Sequence, residues 1–206
     1  GGEEFVLVNS DIILDIDIRD AINTHRQSGA SGTVVLYPHD NAPMIAPVSV
    51  REGKVLDFKN FLNTGIGGRH IYTGLAVLTP DIFPYLTIEH SSIVYTGYVG
   101  LIRHHRLGCF IHQGRWFDIG TPRGYYDVNM ELMRRPGGFP GLFRSHFGLP
   151  FAPVSATAVV NDRAVVESSI LGEGCSVGAG AVVRRVVALP GSNVPDASHI
   201  ENSIVY

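Results

Sequence analysis

The chain has 206 residues, 45% hydrophobic and 17% charged, enough apolar material for one large domain or two small ones. With 16 Lys and Arg against 19 Asp and Glu, the formal charge is −3, which leaves no broad basic field for nucleic acid or anionic lipid. The separated cysteines, Cys109 and Cys175, form no metal or disulfide pattern. No apolar run is long enough to span a membrane, and the opening "GGEEF" lacks a secretory signal, so a cytoplasmic setting is expected.

From Phe5 to about Arg135, short β-branched or aromatic runs alternate with helical patterns, which predicts an α/β domain over residues 1–135. "FVLV" reads as a strand. Ile18, Ala21, Ile22 and His25 then recur at helical spacing, with Asp17 placed to cap the start and Gly29 to end it, and "GTVVLY" follows as a second strand. "IYTGLAVLTPDIF" predicts a strand and then a helix capped by Thr79 with Pro80 at its first position. "DIGTPRGYYDVNMELMRRPGG" repeats the device with Thr121 and Pro122.

Residues 136–153, "PGGFPGLFRSHFGLP" and its flanks, suit neither helix nor strand and read as a linker. Beyond them Val159, Val165, Leu171, Val177, Val183 and Leu189 fall six residues apart, often followed by small residues. This hexapeptide period predicts a short left-handed parallel β-helix over residues 154–206, with about three coils of roughly eighteen residues. Open coil ends and an unpaired strand edge favour self-association, so a homo-oligomer, most simply a dimer, is expected.

In open α/β sheets, ligands bind beyond the carboxyl ends of strands, which is where "FVLV" delivers "NSD" and Asp11. Asn-Ser-Asp is also a turn cluster in its own right. Asp118, in "RWFDIGTP", likewise ends an apolar run before a helix start, and two such carboxylates suit Mg²⁺, a hard ion held by one or two carboxylates plus substrate phosphates. The adjacent His104 and His105 present no common metal face and read as surface.

The segments "FVLVNSDIILDIDIRDAINTHRQSGASGTVVL", "IYTGLAVLTPDIF" and "WFDIGTPRGYYDVN", followed by hexapeptide repeats, resemble the sugar-1-phosphate nucleotidyltransferases, especially the mannose-1-phosphate guanylyltransferase and glucose-1-phosphate thymidylyltransferase type. The resemblance implies a Rossmann-like domain that joins a sugar 1-phosphate to a nucleoside triphosphate with release of pyrophosphate. It implies Asp11 and Asp118 as catalytic Mg²⁺ ligands, Asn9 at the substrate, and Thr73 and Gly74 lining the sugar pocket. Trp116 is expected to pack beneath the site. The family's "F-x-E-K-P" segment aligns with "FKNFL", which puts Asn60 and Phe61 at the Glu and Lys positions and leaves Lys59, one place off, as the candidate sugar-phosphate contact. "N-G-D" is "NSD" here. The Gly-rich "G-x-G-T-R-L-x-P" loop that cradles the triphosphate is not among these residues, which implies a partial catalytic domain, inactive by itself. Two other readings stand beside this one: a non-catalytic regulatory or scaffold member of the same family, and a hexapeptide acyltransferase using an acyl-CoA. The latter would need a catalytic His near the coils, where the sequence offers His199.

Overall fold

The structure is a computed structural model that describes residues 3–135, 141, 144, 148 and 151–206. Its contacts divide the chain into two compact units, Gly1–Trp116 and Phe117–Tyr206, a division that falls before the helix starting at Pro122 rather than at residue 135. Most of the expected linker, 136–153, lies outside the described residues.

The first unit runs β1 (Phe5–Val8), β2 (Ile12–Leu14), α1 (Ile18–Ser28), β3 (Gly32–Pro38), the single turn α2 (Ala42–Ile45), β4 (Val48–Arg51), β5 (Lys54–Phe58) and β6 (His70–Leu78). A 3₁₀ segment (Pro80–Tyr85), a π turn (Val94–Tyr98), α3 (Val99–Arg103) and β7 (Leu107–Ile111) follow. One six-stranded sheet, ordered β1-β6-β3-β7-β5-β4, organises it. The sheet is mixed. β3 and β7 pair parallel, whereas β1 and β3 both pair antiparallel to β6, so β1, β3 and β7 run in one sense. Val34, Leu36, Leu78, Tyr98 and Leu107 make the core on one side, while Ala21 of α1 packs with Val35, Leu75 and Val77 on the other.

Local chemistry sets α1 as expected. Asp17 caps it by accepting from the Arg19 amide at 3.0 Å, and Gly29 closes it at φ 61°, a left-handed angle that glycine reaches without cost. The Arg19 guanidinium, hydrogen-bonded to the Asp17 carboxylate, holds its pKa down to about 2. The helix expected after Thr79 is instead the 3₁₀ segment. Pro84 inside it has no N–H to give, and the Thr79 hydroxyl does not cap but donates to the carbonyl of Ser31 at 3.2 Å.

A three-residue strand, β8 (Trp116–Asp118), carries the chain out of the first unit. The second unit then holds α4 (Pro122–Arg134), capped by the Thr121 hydroxyl, which accepts from the Gly124 amide at 3.0 Å. The short strands β9 (Val159–Val160), β10 (Val165–Glu167), β11 (Ile170–Leu171), β12 (Ser176–Val177), β13 (Val182–Ala188), β14 (Asn193–Val194) and β15 (His199–Val205) complete it. Every pairing among these strands is parallel, and every partner lies seventeen residues away: Val165 faces Val182 and Val182 faces His199, Ile170 faces Val187 and Val187 faces Ile204, Val159 faces Ser176 and Ser176 faces Asn193.

That register corrects the six-residue count. Leu171, Val177 and Val183 are buried as read, but Val159 is 68% exposed and Val165 40% exposed. The residues stacked on Val177 and Val183 are Val160 and Val166, and the one stacked on Leu171 from above is Ala188 rather than Leu189. The aliphatic spacing is therefore six, six, five, which totals seventeen where a strict hexapeptide repeat would total eighteen. The corner where the residue is saved is Ser168, Arg185 and Asn202, with φ of 47°, 50° and 51°. Ladders of side chains follow the same offset: Arg184 bridges Glu167 at 2.9 Å and Glu201 at 3.5 Å, and Arg185 donates to Asn202 at 2.7 Å.

Candidate functional site

Because β1, β3 and β7 run in one sense, their carboxyl ends deliver Asn9, Tyr37 and His112 to one edge of the sheet. β6 passes beside them with a bulge. Between the pairs Val34–Ala76 and Leu36–Tyr72, β3 contributes only Val35 while β6 contributes Thr73, Gly74 and Leu75. Gly74 absorbs the irregularity at φ 89°, and a Cβ there would come within 3.0 Å of the Asn9 side chain. The Asn9 amide donates to the Gly74 carbonyl at 2.8 Å, so the bulge fixes the point where the chain leaves β1 for Asp11.

Thr73 is fully buried. Its hydroxyl donates to the Val35 carbonyl at 2.9 Å, and the Trp116 indole N–H donates to the Thr73 carbonyl at 3.0 Å. Trp116 also lies against Tyr37, with ring centroids 5.8 Å apart. Next to it His112, buried after β7, places Nε2 at 3.1 Å from both the Asp15 carboxylate and the Arg115 carbonyl, while Asp15 accepts from the Arg115 amide at 2.6 Å. A Cβ on Gly114 would sit 2.0 Å from the Asp15 oxygen and 2.6 Å from the His112 ring, so any side chain there would displace that pair. Sequence reasoning did not single out Asp15 and His112; their one signal was that glycine between two polar residues ahead of Trp116.

The structure thus brings Asn9, Thr73, Gly74 and Trp116 together in the first unit. Asp11 is exposed in the turn after β1, and its side chain makes no hydrogen bond or ion pair among the described residues. Asp118 belongs to the second unit, ends β8, and accepts from the Gly120 amide at 2.9 Å. Gly124 packs on its backbone, where a Cβ would lie 2.2 Å from the Asp118 carbonyl oxygen. No Arg or Lys pairs with either carboxylate among the described residues, and no cluster of three or more His, Cys, Asp or Glu able to hold a metal occurs among them. Lys59 follows β5 on the far side of the sheet order from β1, exposed, with its amide donating to the Pro47 carbonyl at 2.7 Å. His104 and His105 are exposed. His199, exposed as well, lies 3.0 Å from Glu201.

No family model matches the sequence. Over 221 residues it is 24% identical to a protein of Oryza sativa subsp. japonica named "Probable mannose-1-phosphate guanylyltransferase 1", with 99% of this chain and 58% of that protein covered. It is 23% identical over 182 residues to mannose-1-phosphate guanylyltransferase 1 of Arabidopsis thaliana, covering 86% and 47%. It is also 26% identical over 126 residues to the mannose-1-phosphate guanylyltransferase catalytic subunit beta of Dictyostelium discoideum, covering 60% and 35%. The chain spans about half the length of the curated relatives it matches. A solved structure from Bacillus anthracis titled "Putative Glucose-1-Phosphate Thymidylyltransferase" aligns over 63% of this chain and 54% of its own with a TM-score of 0.49 at 18% identity.

Proposed function

We propose that this chain is a member of the sugar-1-phosphate nucleotidyltransferase family, a reading supported by its likeness to mannose-1-phosphate guanylyltransferases, and that it carries the sugar-phosphate side of a site that joins a sugar 1-phosphate to a nucleoside triphosphate and releases pyrophosphate. The observation that carries the reading is the pair of strand-end carboxylates, Asp11 and Asp118, each exposed and each without a cationic partner among the described residues. Carboxylates already neutralised by Arg or Lys would make poor ligands, whereas these two retain oxygens for a hard divalent ion. They fit Mg²⁺, which when bound would supply charge neutralisation and alignment of the phosphates.

The remaining residues have positioning roles. The Gly74 carbonyl and the bulge hold Asn9 so that its amide group stands at the sheet edge, one turn from Asp11. Thr73 and Trp116 act from beneath: the Thr73 hydroxyl and carbonyl are both spent on internal bonds, so they set the pocket wall and offer the sugar no free group. Asp118 precedes α4, whose capped start fixes the backbone that carries it. Phosphoryl transfer of this kind asks for positioning and charge stabilisation rather than a protein nucleophile. The triphosphate-cradling loop of the family is not among these 206 residues, and by themselves they are expected to bind a nucleotide sugar without turnover. A cytoplasmic homo-oligomer completes the reading.

We infer further that the second unit's strands form a left-handed parallel β-helix. The support is the constant offset of seventeen residues, the all-parallel ladders and the repeated left-handed corner at Ser168, Arg185 and Asn202.

Thermal denaturation with GDP-mannose, dTDP-glucose and coenzyme A, each with and without Mg²⁺, tests the function. A nucleotide sugar at about 100 times its dissociation constant adds about 2.7 kcal/mol, and the gain should require Mg²⁺. Stabilisation by coenzyme A alone would overturn the reading in favour of acyl transfer.

A further inference from the structure

We propose that the cavity between α4 and the coil corner at Arg185, both in the second unit, is a binding site for a small organic oxyanion, a phosphate ester or carboxylate on a flat apolar body. The proposal goes beyond nucleotidyl transfer and does not rest on it, since neither Asp11 nor Asp118 lines the cavity.

Helical spacing builds one wall. Arg123, Tyr126, Met130 and Arg134, with the acids Asp127 and Glu131, recur at intervals of three and four along α4 and so share one face. Arg185 and Asn202 line the same cavity from the coil corner. Its volume is about 530 Å³, inside the span of about 300–1,000 Å³ usual for small-molecule sites. The Tyr126 hydroxyl donates to the Arg185 carbonyl at 2.9 Å and pins the two walls together.

The lining holds three arginines against two acids, and the acids are spent. Asp127 is engaged by Arg123 at 2.8 Å, and Glu131 by Arg135, which does not line the cavity, at 3.2 Å. Arg134 makes no ion pair or hydrogen bond among the described residues. Arg185 gives its Nε–H to Asn202 at 2.7 Å and one terminal nitrogen to Glu201 at 3.3 Å, which leaves part of its five-donor fork unused. A guanidinium fork matches the two oxygens of a carboxylate or phosphate. The flat body has its own surface, because Met130 is almost fully buried in the wall and the Tyr126 ring lies beside it on α4 with the Arg123 guanidinium 5.9 Å from its centroid.

Backbone conformation points to the same arginine. Arg185 is left-handed at φ 50°, in the corner position that Ser168 and Asn202 occupy one coil before and one coil after. Asparagine takes that conformation readily, whereas a long side chain there costs about 1–2 kcal/mol. The corner thus keeps a strained residue whose side chain reaches the cavity, and strain of this kind collects at binding sites.

The test is a titration of ¹⁵N-labelled protein, free of divalent metal, with phenyl phosphate, benzoate, inorganic phosphate and phenol in turn. Saturable movement of the Tyr126, Met130 and Arg185 amide resonances is expected with phenyl phosphate or benzoate, the tighter of the two identifying the head group. R134Q removes a cation that holds no partner, and R185N removes the guanidinium while relieving the backbone. Both variants should unfold in urea at or above the parent's midpoint, and each should bind the tighter probe about tenfold more weakly. Equal affinity for inorganic phosphate would overturn the flat body, and an equal response to phenol would overturn the anion. Unmoved amides with all four probes, or unchanged affinity in both variants, would overturn the site itself.

Discussion

The indole N–H of Trp116 donates to the carbonyl oxygen of Thr73 at 3.0 Å, tying the last residue of the first unit to the middle of β6. With the Thr73 hydroxyl on the Val35 carbonyl, it leaves both the carbonyl and the hydroxyl of Thr73 hydrogen-bonded at the bulge. Trp116→Phe keeps most of the ring and removes the donor. It should cost about 1–3 kcal/mol, because the carbonyl of the fully buried Thr73 is left unpaired. Urea unfolding followed by circular dichroism measures it, and a change below about 0.5 kcal/mol would mean that water replaces the indole.

Thr73→Val preserves shape and deletes the hydroxyl. Since Thr73 is fully buried and its partner carbonyl lies inside the bulge, a loss of about 1–3 kcal/mol is expected, with Thr73→Ser closer to the parent. If Val is tolerated as well as Ser, the hydroxyl is not what holds the bulge.

Gly74→Ala tests the same segment by conformation. At φ 89° with Asn9 atoms 3.0 Å from the new Cβ, alanine is strained and must push Asn9 outward. The expected result is a destabilisation of about 1–3 kcal/mol together with weaker nucleotide-sugar binding, read in parallel by urea unfolding and calorimetric titration.

Burial pushes the Cys109 thiol from its ordinary value up to about 11. The folded chain therefore holds this proton more tightly than the unfolded chain, and stability should be unaffected below about pH 9 and fall as pH rises from there towards 11. Iodoacetamide should modify Cys109 far more slowly in the native protein than in urea at pH 9. Equal rates would show that the thiol is not sheltered.

Much of the fold was legible in the sequence because its signals were local. Asp17 with Gly29, and Thr121 with Pro122, mark α1 and α4 through contacts within a few residues, and both helices form. Thr79 and Pro80 carried the same marks, yet Pro84 and the pull of Ser31 on the Thr79 hydroxyl left only a 3₁₀ turn. The aliphatic period was visible while its register was not, because one residue is saved at the corner Ser168, Arg185 and Asn202, and none of the three is glycine. Around the site, Thr73 and Gly74 are legible only through the family resemblance, because the bulge depends on how β3 meets β6, a cross-strand relation that no stretch of sequence displays. Asp15, Asp57 and His112 went unremarked for the same reason: each acts through a partner brought to it by folding.

The proposed metal site requires Asp11 and Asp118 to serve one divalent ion. Manganese titrated into ¹⁵N-labelled protein in the presence of GDP-mannose tests this directly, since the paramagnetic ion broadens nearby amides. Saturable broadening around both residues is predicted, with D11N and D118N each raising the midpoint about tenfold or more, equivalent to about 1.4 kcal/mol. Broadening confined to one of the two segments, or a midpoint indifferent to either substitution, would contradict it.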